Sequence, residues 1–285
     1  MKILLGFAIL LMTIGGYAQT KKTPRQDAIK PDRNMPLTID GTKMPTNFQG
    51  NDPEAILTAL QRFETANLKG EFETTAAYNA RIESLKQIPY LGGLMPDSIL
   101  GFVLPTSEIS FNYDADKKVF VGVIPLKRDD RIQCSGTYSS QGLDCRTLTL
   151  VEKSKKTAYL GQNTFGATAK ITAFLVTNIG LNFYEAESLP RQDITNQAYR
   201  MAVPIDPVKA ISIKPNLRIL FIGKLSNMNY THDYSKKDAT IQSPTQIVAE
   251  HFRLHFIVKE ICAFNGLFGE IYGCLNQKAL DSMKQ

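Results

Sequence analysis

The stretch His251-Phe-Arg-Leu-His-Phe-Ile-Val-Lys-Glu-Ile-Cys262 carries two histidines four residues apart, and the period of its apolar residues decides what holds them. On a helix, H-x-x-x-H would present two metal ligands on one face. Here Phe252, Leu254, Phe256 and Val258 alternate with His251, Arg253, His255 and Ile257, the period of a strand. At about 3.3 Å per residue, strand positions four apart lie about 13 Å from each other, too far to share one ion. The reading is a strand over 252–262 with both histidines facing solvent, and it assigns no metal and no cofactor.

Upstream, the two-residue period begins at Ile99 and predicts strands over 99–104, 108–113, 117–125, 131–137, 144–151, 156–161, 168–176, 179–184, 199–204 and 216–225. Downstream, a hairpin joins 252–262 to 270–275. Asp114-Ala-Asp-Lys117 reads as a hairpin turn, Gly161 to Gly166 as a loop between strands, and Pro207 to Ile213 as a short helix. Connections this short imply mainly antiparallel pairing.

Before Ile99 the period is helical. Asn51 or Asp52 can cap a helix with Pro53 at its first position, where Ile56, Leu60 and Phe63 share a face and Gly70 ends the run. A second helix opens at Thr74 or Thr75, aligns Tyr78, Ile82, Leu85 and Ile88, and stops before Pro89. The fold class is therefore α+β: a helical hairpin over 51–92, then a mainly antiparallel β-rich body, sandwich or barrel-like. The body divides into 93–184 and 185–285, with a boundary over 185–198 that leaves a single domain open. Residues 19–50, with Pro24, Pro31, Pro36 and Pro45 among polar side chains, read as a flexible lead-in.

Residues 1–18 have the form of a secretory signal peptide: Lys2, an uncharged run from Ile3 to Met12, and the cleavage-like Gly16-Tyr17-Ala18. Cleavage would leave 267 residues with 32 basic and 27 acidic side chains, a mildly basic, soluble product without a transmembrane segment. No Cys follows the cut, which argues against a lipid-anchored form. The location expected is periplasmic or secreted, in a bacterium. The modest positive charge favours anionic surfaces through long-range attraction. The basic residues lack interleaved aromatics, so nucleic acid is not an expected partner.

Four cysteines in an exported chain suggest disulfides, with three pairings possible. Spacing prefers Cys134 with Cys145, opposed in a hairpin turning at Tyr138 to Gly142, and Cys262 with Cys274. A two-residue turn at Asn265-Gly266 would put the second pair on opposite faces, so an odd, longer loop from Asn265 to Gly269 is expected.

Other chemistry-bearing residues find no complete motif. Asp114 and Asp116 resemble the start of a calcium loop, but Lys117-Lys118 follows where further oxygen ligands belong. Glu71 with Glu73, and Asp129 with Asp130, read as ordinary surface carboxylates. The chain has no G-x-S-x-G elbow, phosphate loop or dinucleotide fingerprint, and no free catalytic Cys is expected.

Three segments, Phe72-Glu-Thr-Thr-Ala-Ala-Tyr-Asn-Ala-Arg81, Leu160-Gly-Gln-Asn-Thr-Phe-Gly-Ala-Thr168, and Lys214-Pro-Asn-Leu-Arg218 with Leu220-Phe-Ile-Gly-Lys-Leu225, resemble recurring segments of a group of uncharacterised exported bacterial proteins. The resemblance implies an envelope location and carries no activity. Phe72 and Tyr78 are expected to dock the two helices, and Asn163 and Gly166 to shape a turn that carries Phe165. The functional expectation is a non-enzymatic envelope protein that binds another envelope protein, a glycan or a lipid through its β body. The alternatives are an envelope hydrolase, marked by carboxylates, His232 or tyrosines converging in a pocket, and a small-ligand or lipid carrier.

Overall fold

Helix formation begins where cap chemistry satisfies the first free backbone N–H groups. The computed structural model describes residues 33–39, 42–128, 146–183 and 198–276. In α1 (Pro53–Asn67) the Asp52 carboxylate accepts from the N–H of Glu54 and Ala55, with Pro53 opening the helix. Its buried face is Ile56, Leu57 and Leu60, while Phe63 is only half-buried. In α2 (Thr75–Leu85) the Thr74 hydroxyl accepts from Ala77 N–H, and no residue of this helix is buried.

Phe72 does not dock the helices: its side chain is 94% exposed. Arg81 makes the connection instead. Its guanidinium donates bidentately to Glu73 at 2.8 and 2.9 Å, and to the carbonyls of Leu68 and Ala66 at the end of α1, beside the Tyr78 ring. Backbone carbonyls left without partners at a helix terminus are natural acceptors for such a group.

The body is β-rich. Its strands are β1 (Leu100–Val103), β2 (Ser110–Asp114), β3 (Val119–Pro125), β4 (Lys127–Arg128), β5 (Arg146–Gln162), β6 (Thr168–Phe183), β7 (Ala198–Pro204), β8 (Leu217–Lys237), β9 (Thr245–Asn265) and β10 (Ile271–Asn276). A short helix, α3 (Pro207–Ile213), precedes β8. The large sheet is ordered β1-β8-β9-β6-β5-β4, with β10 also on β9, and a small sheet is ordered β2-β3-β7.

Pairing is antiparallel except between β6 and β9, so the large sheet is curled and mixed. The chain returns from β6 to β9 through β7, α3 and β8, a crossover long enough for a parallel neighbour. Strands predicted separately fuse: 144–151 with 156–161 into β5, and 168–176 with 179–184 into β6. The predicted strand over 131–137, the Cys134–Cys145 pair, Asp129, Asp130, the boundary over 185–198 and residues 1–18 lie outside the described residues.

The main core fills the space between one face of the large sheet, the small sheet and α1. A bulge at Lys259 serves it. Ile222 pairs with Glu260 but Gly223 with Val258, so the even run Phe252 to Val258 and the odd pair Ile261 and Ala263 reach the same core. On the opposite face, Met44, Leu220, Ile222, Cys262 and Phe264 form a smaller core under Leu37 and Phe48.

That second core corrects the reading of a flexible lead-in as far as residue 50. Leu37 N–H donates to Ile99 O, Met44 N–H to Gly269 O, and Arg33 to the carbonyls of Gly50 and Asn51. The apolar residues between the prolines, few as they are, cover the back of β8 and β9. Strands from 93–184 and from 185–285 also share both sheets, and all described residues belong to one compact unit.

Candidate functional site

The central strand β9 carries His251, Arg253 and His255 along one face. Its parallel neighbour β6 sets Asn178, Gly180 and Asn182 beside them, and β8 sets Asp233 and Thr231 beside His251 and Arg253. The expected solvent-facing strand is corrected here: Arg253 is 5% exposed and His255 7%, with His251 half-buried. Alternation had separated the two faces correctly, but a central strand of this sheet is covered on both.

Arg253 holds the polar stripe together. Its Nη1 donates to Asn178 Oδ1 at 2.6 Å and approaches Phe252 O at 3.0 Å. Asn178 Nδ2 in turn donates to Glu152 Oε2 at 3.1 Å. On the other side, Arg253 Nη2 lies 3.5 Å from His251 Nδ1, and His251 Nε2 lies 3.5 Å from Ser235 Oγ. Gly180 makes room for the guanidinium stem: a Cβ there would stand 2.2 Å from Leu148 O and 3.4 Å from Arg253 Cδ.

A serine next to an imidazole invites comparison with nucleophilic catalysis, and the group at the second ring nitrogen differs. A catalytic imidazole takes the serine proton on one nitrogen while a carboxylate on the other stabilises the resulting cation. Here a guanidinium, itself a donor and a cation, stands at Nδ1. The guanidinium occupies the position at which a carboxylate would stand in such a site.

Burial pushes the Tyr230 hydroxyl up to about 12, helped by its hydrogen bond to Glu64 on α1. Burial also raises Tyr90, Tyr113 and Tyr272, so all four stay protonated near neutral pH. His232 is stacked on Phe252 at 4.3 Å, with Glu250 3.8 Å from its Nε2. Asp114 accepts from Lys117 N–H at the β2–β3 turn, where Lys118 adopts a positive φ of 52°. Asp116 lies in the same turn. Glu73 is held by Arg81 well below the usual carboxylate range, at about 2, and Glu71 is exposed. An open groove of about 400 Å³ runs past Asn47, Phe48, Asn216 and Arg218, but Arg218 Nη1 is directed to the carbonyls of Pro215 and Leu217.

Cys262 and Cys274 are bonded, directly opposed on β9 and β10 with Cα atoms 4.0 Å apart. The parity that an odd loop was expected to supply comes from a bulge: the register shifts between Ile271 and Gly273. Glu260 lies beside the two sulfurs, but both are engaged in the disulfide.

Past the polar stripe, β5, β6, β9 and β8 run on together as a four-stranded ribbon: 152–162, 168–177, 245–251 and 231–237. Every residue of β5 from Glu152 to Leu160 is exposed. At the tip, Asn163 Oδ1 accepts from the N–H of Phe165 and Ala167 at 3.0 and 2.9 Å, and Gly166 takes a φ of +83°. This is the turn expected of Asn163 and Gly166, and it holds Phe165 out at 93% exposure. Leu160, 74% exposed, stands just behind it. Sequence reading missed the ribbon because Lys153 to Lys156 interrupts the apolar alternation, although backbone pairing continues through it. The available signal was two runs of similar length flanking an Asn-x-x-Gly turn.

No family model matches the chain, and no curated protein or solved structure matches it. Among the described residues, no helix is long and apolar enough to cross a membrane.

Proposed function

We propose that the chain is an exported, non-enzymatic interaction module of the bacterial cell envelope, docking onto another envelope component through the β5–β6–β9–β8 ribbon. The observation that carries this reading is the ribbon itself, a long sheet extension beyond the core whose tip displays Phe165 and Leu160 to solvent. Large apolar side chains held out by a specified turn favour contact with a partner. The form of residues 1–18, the Cys262–Cys274 bridge and the resemblance to exported bacterial proteins support a periplasmic or secreted location. In this reading Cys134 and Cys145 form a second bridge, and α1 with α2 acts as one hairpin clamped by Arg81.

The hydrolase reading has one specific observation, the approach of Ser235 to His251. The guanidinium at Nδ1 weighs against it.

Photo-crosslinking in intact cells tests the proposal. A photoreactive residue at position 165 is expected to capture an envelope component, while one at position 118, on the β2–β3 turn, captures none. Equal capture from both positions, or none from either, would overturn it.

A further inference from the structure

The β5–β6 hairpin concentrates charge of one sign. From Lys153 to Val176 it contains Lys153, Lys155, Lys156 and Lys170 and no Asp or Glu, in a chain whose whole net charge is +6. Lys153 is turned toward Glu54 of α1 at the ribbon's base, leaving the other three lysines along the projecting part. Lys170 is paired across the hairpin with Leu160, and the last ladder pair before the turn is Gln162 with Thr168. Two residues of strand are about 7 Å, so a cation stands that far behind the last pair, with Phe165 ahead of it.

We infer that this hairpin docks the protein tip-first onto an anionic lipid bilayer, with Phe165 and Leu160 entering the interface, Lys170 beside Leu160 at the level of the lipid phosphates, and Lys156 and Lys155, on opposite faces about 13–17 Å farther back, adding longer-range attraction. Interfacial segments bury apolar side chains about 5–10 Å into the headgroup and acyl boundary. With the turn immersed, Lys170, about 7 Å behind the last ladder pair, stands near the outer boundary of that layer. The tip turn needs no rearrangement, because Asn163 and Gly166 already present Phe165 outward. Acidic protein or polysaccharide would satisfy the lysines but would not require a bare aromatic ring at the extreme tip. The inference rests on the ribbon being the docking surface and names what it docks to.

The test is co-sedimentation of the oxidised mature chain, residues 19–285, with vesicles of one part phosphatidylglycerol to two parts phosphatidylcholine, and with phosphatidylcholine alone. Binding to the anionic vesicles only, released by high salt, is expected. Each lysine near the surface contributes roughly fivefold. The variant K155Q/K156Q/K170Q should therefore bind at least roughly fivefold more weakly, the share of Lys170 alone. F165S should lose at least about tenfold through the lost burial of the ring. All four positions are exposed, so both variants should melt as the parent does. Absence of vesicle binding, or binding that neither variant weakens, overturns the lipid assignment. If position 165 nevertheless crosslinks to an envelope protein, the ribbon reading stands alone; if that crosslink is also absent, both fall.

Discussion

A guanidinium removed from water on a central strand costs several kcal/mol unless its N–H groups find acceptors. Arg253 meets this with Asn178, whose own amide is steered by Glu152. Asn178→Ala should therefore lower stability by about 1–3 kcal/mol, seen as a lower urea midpoint with an unchanged slope. An unaltered midpoint would mean that Arg253 does not depend on this contact. The alternation from His251 to Val258 was legible because side-chain direction along a strand is a local property. The burial of Arg253 and His255 was not, because it depends on what the rest of the chain packs over each face. Phe72 shows the converse: its apolar character suggested docking, yet the contact between the helices is made by the polar Arg81.

Glu73 and Arg81 give α2 a pH dependence of definite sign. A carboxyl held near 2 in the folded chain stabilises it fully above the ordinary carboxylate range, and that contribution fades as pH falls toward 2. Protease susceptibility around residues 68–75 should rise through this window in the parent chain, while Glu73→Gln should be susceptible already at neutral pH and show little further change. In the β9–β10 hairpin, the disulfide spans a separation of 12 residues. Removing it as C262A/C274A should cost about 3 kcal/mol in equilibrium unfolding, the entropy of a loop that short. Element limits were most legible where chemistry fixes them, as at Asp52-Pro53 and Asp206-Pro207. They were least legible in β5, where backbone hydrogen bonds run straight through four residues that include three lysines.

For the whole molecule, the β-rich class was readable from the change of period at Ile99, whereas the topology was not. Nothing local in β6 or β9 distinguishes a parallel from an antiparallel neighbour, and residues 33–50 reveal their packing only once β8 and β9 offer a face for Leu37 and Phe48. The ribbon likewise emerges from the joint register of four strands distant in sequence. Under the proposed function, its separation from the core would let a surface be committed to docking without disturbing the fold. Hydrogen–deuterium exchange of residues 19–285, alone and mixed with isolated envelope membranes, tests that claim most directly. Protection confined to residues 157–173 is predicted; unchanged exchange there, or protection centred on α2 and Phe72, would contradict it.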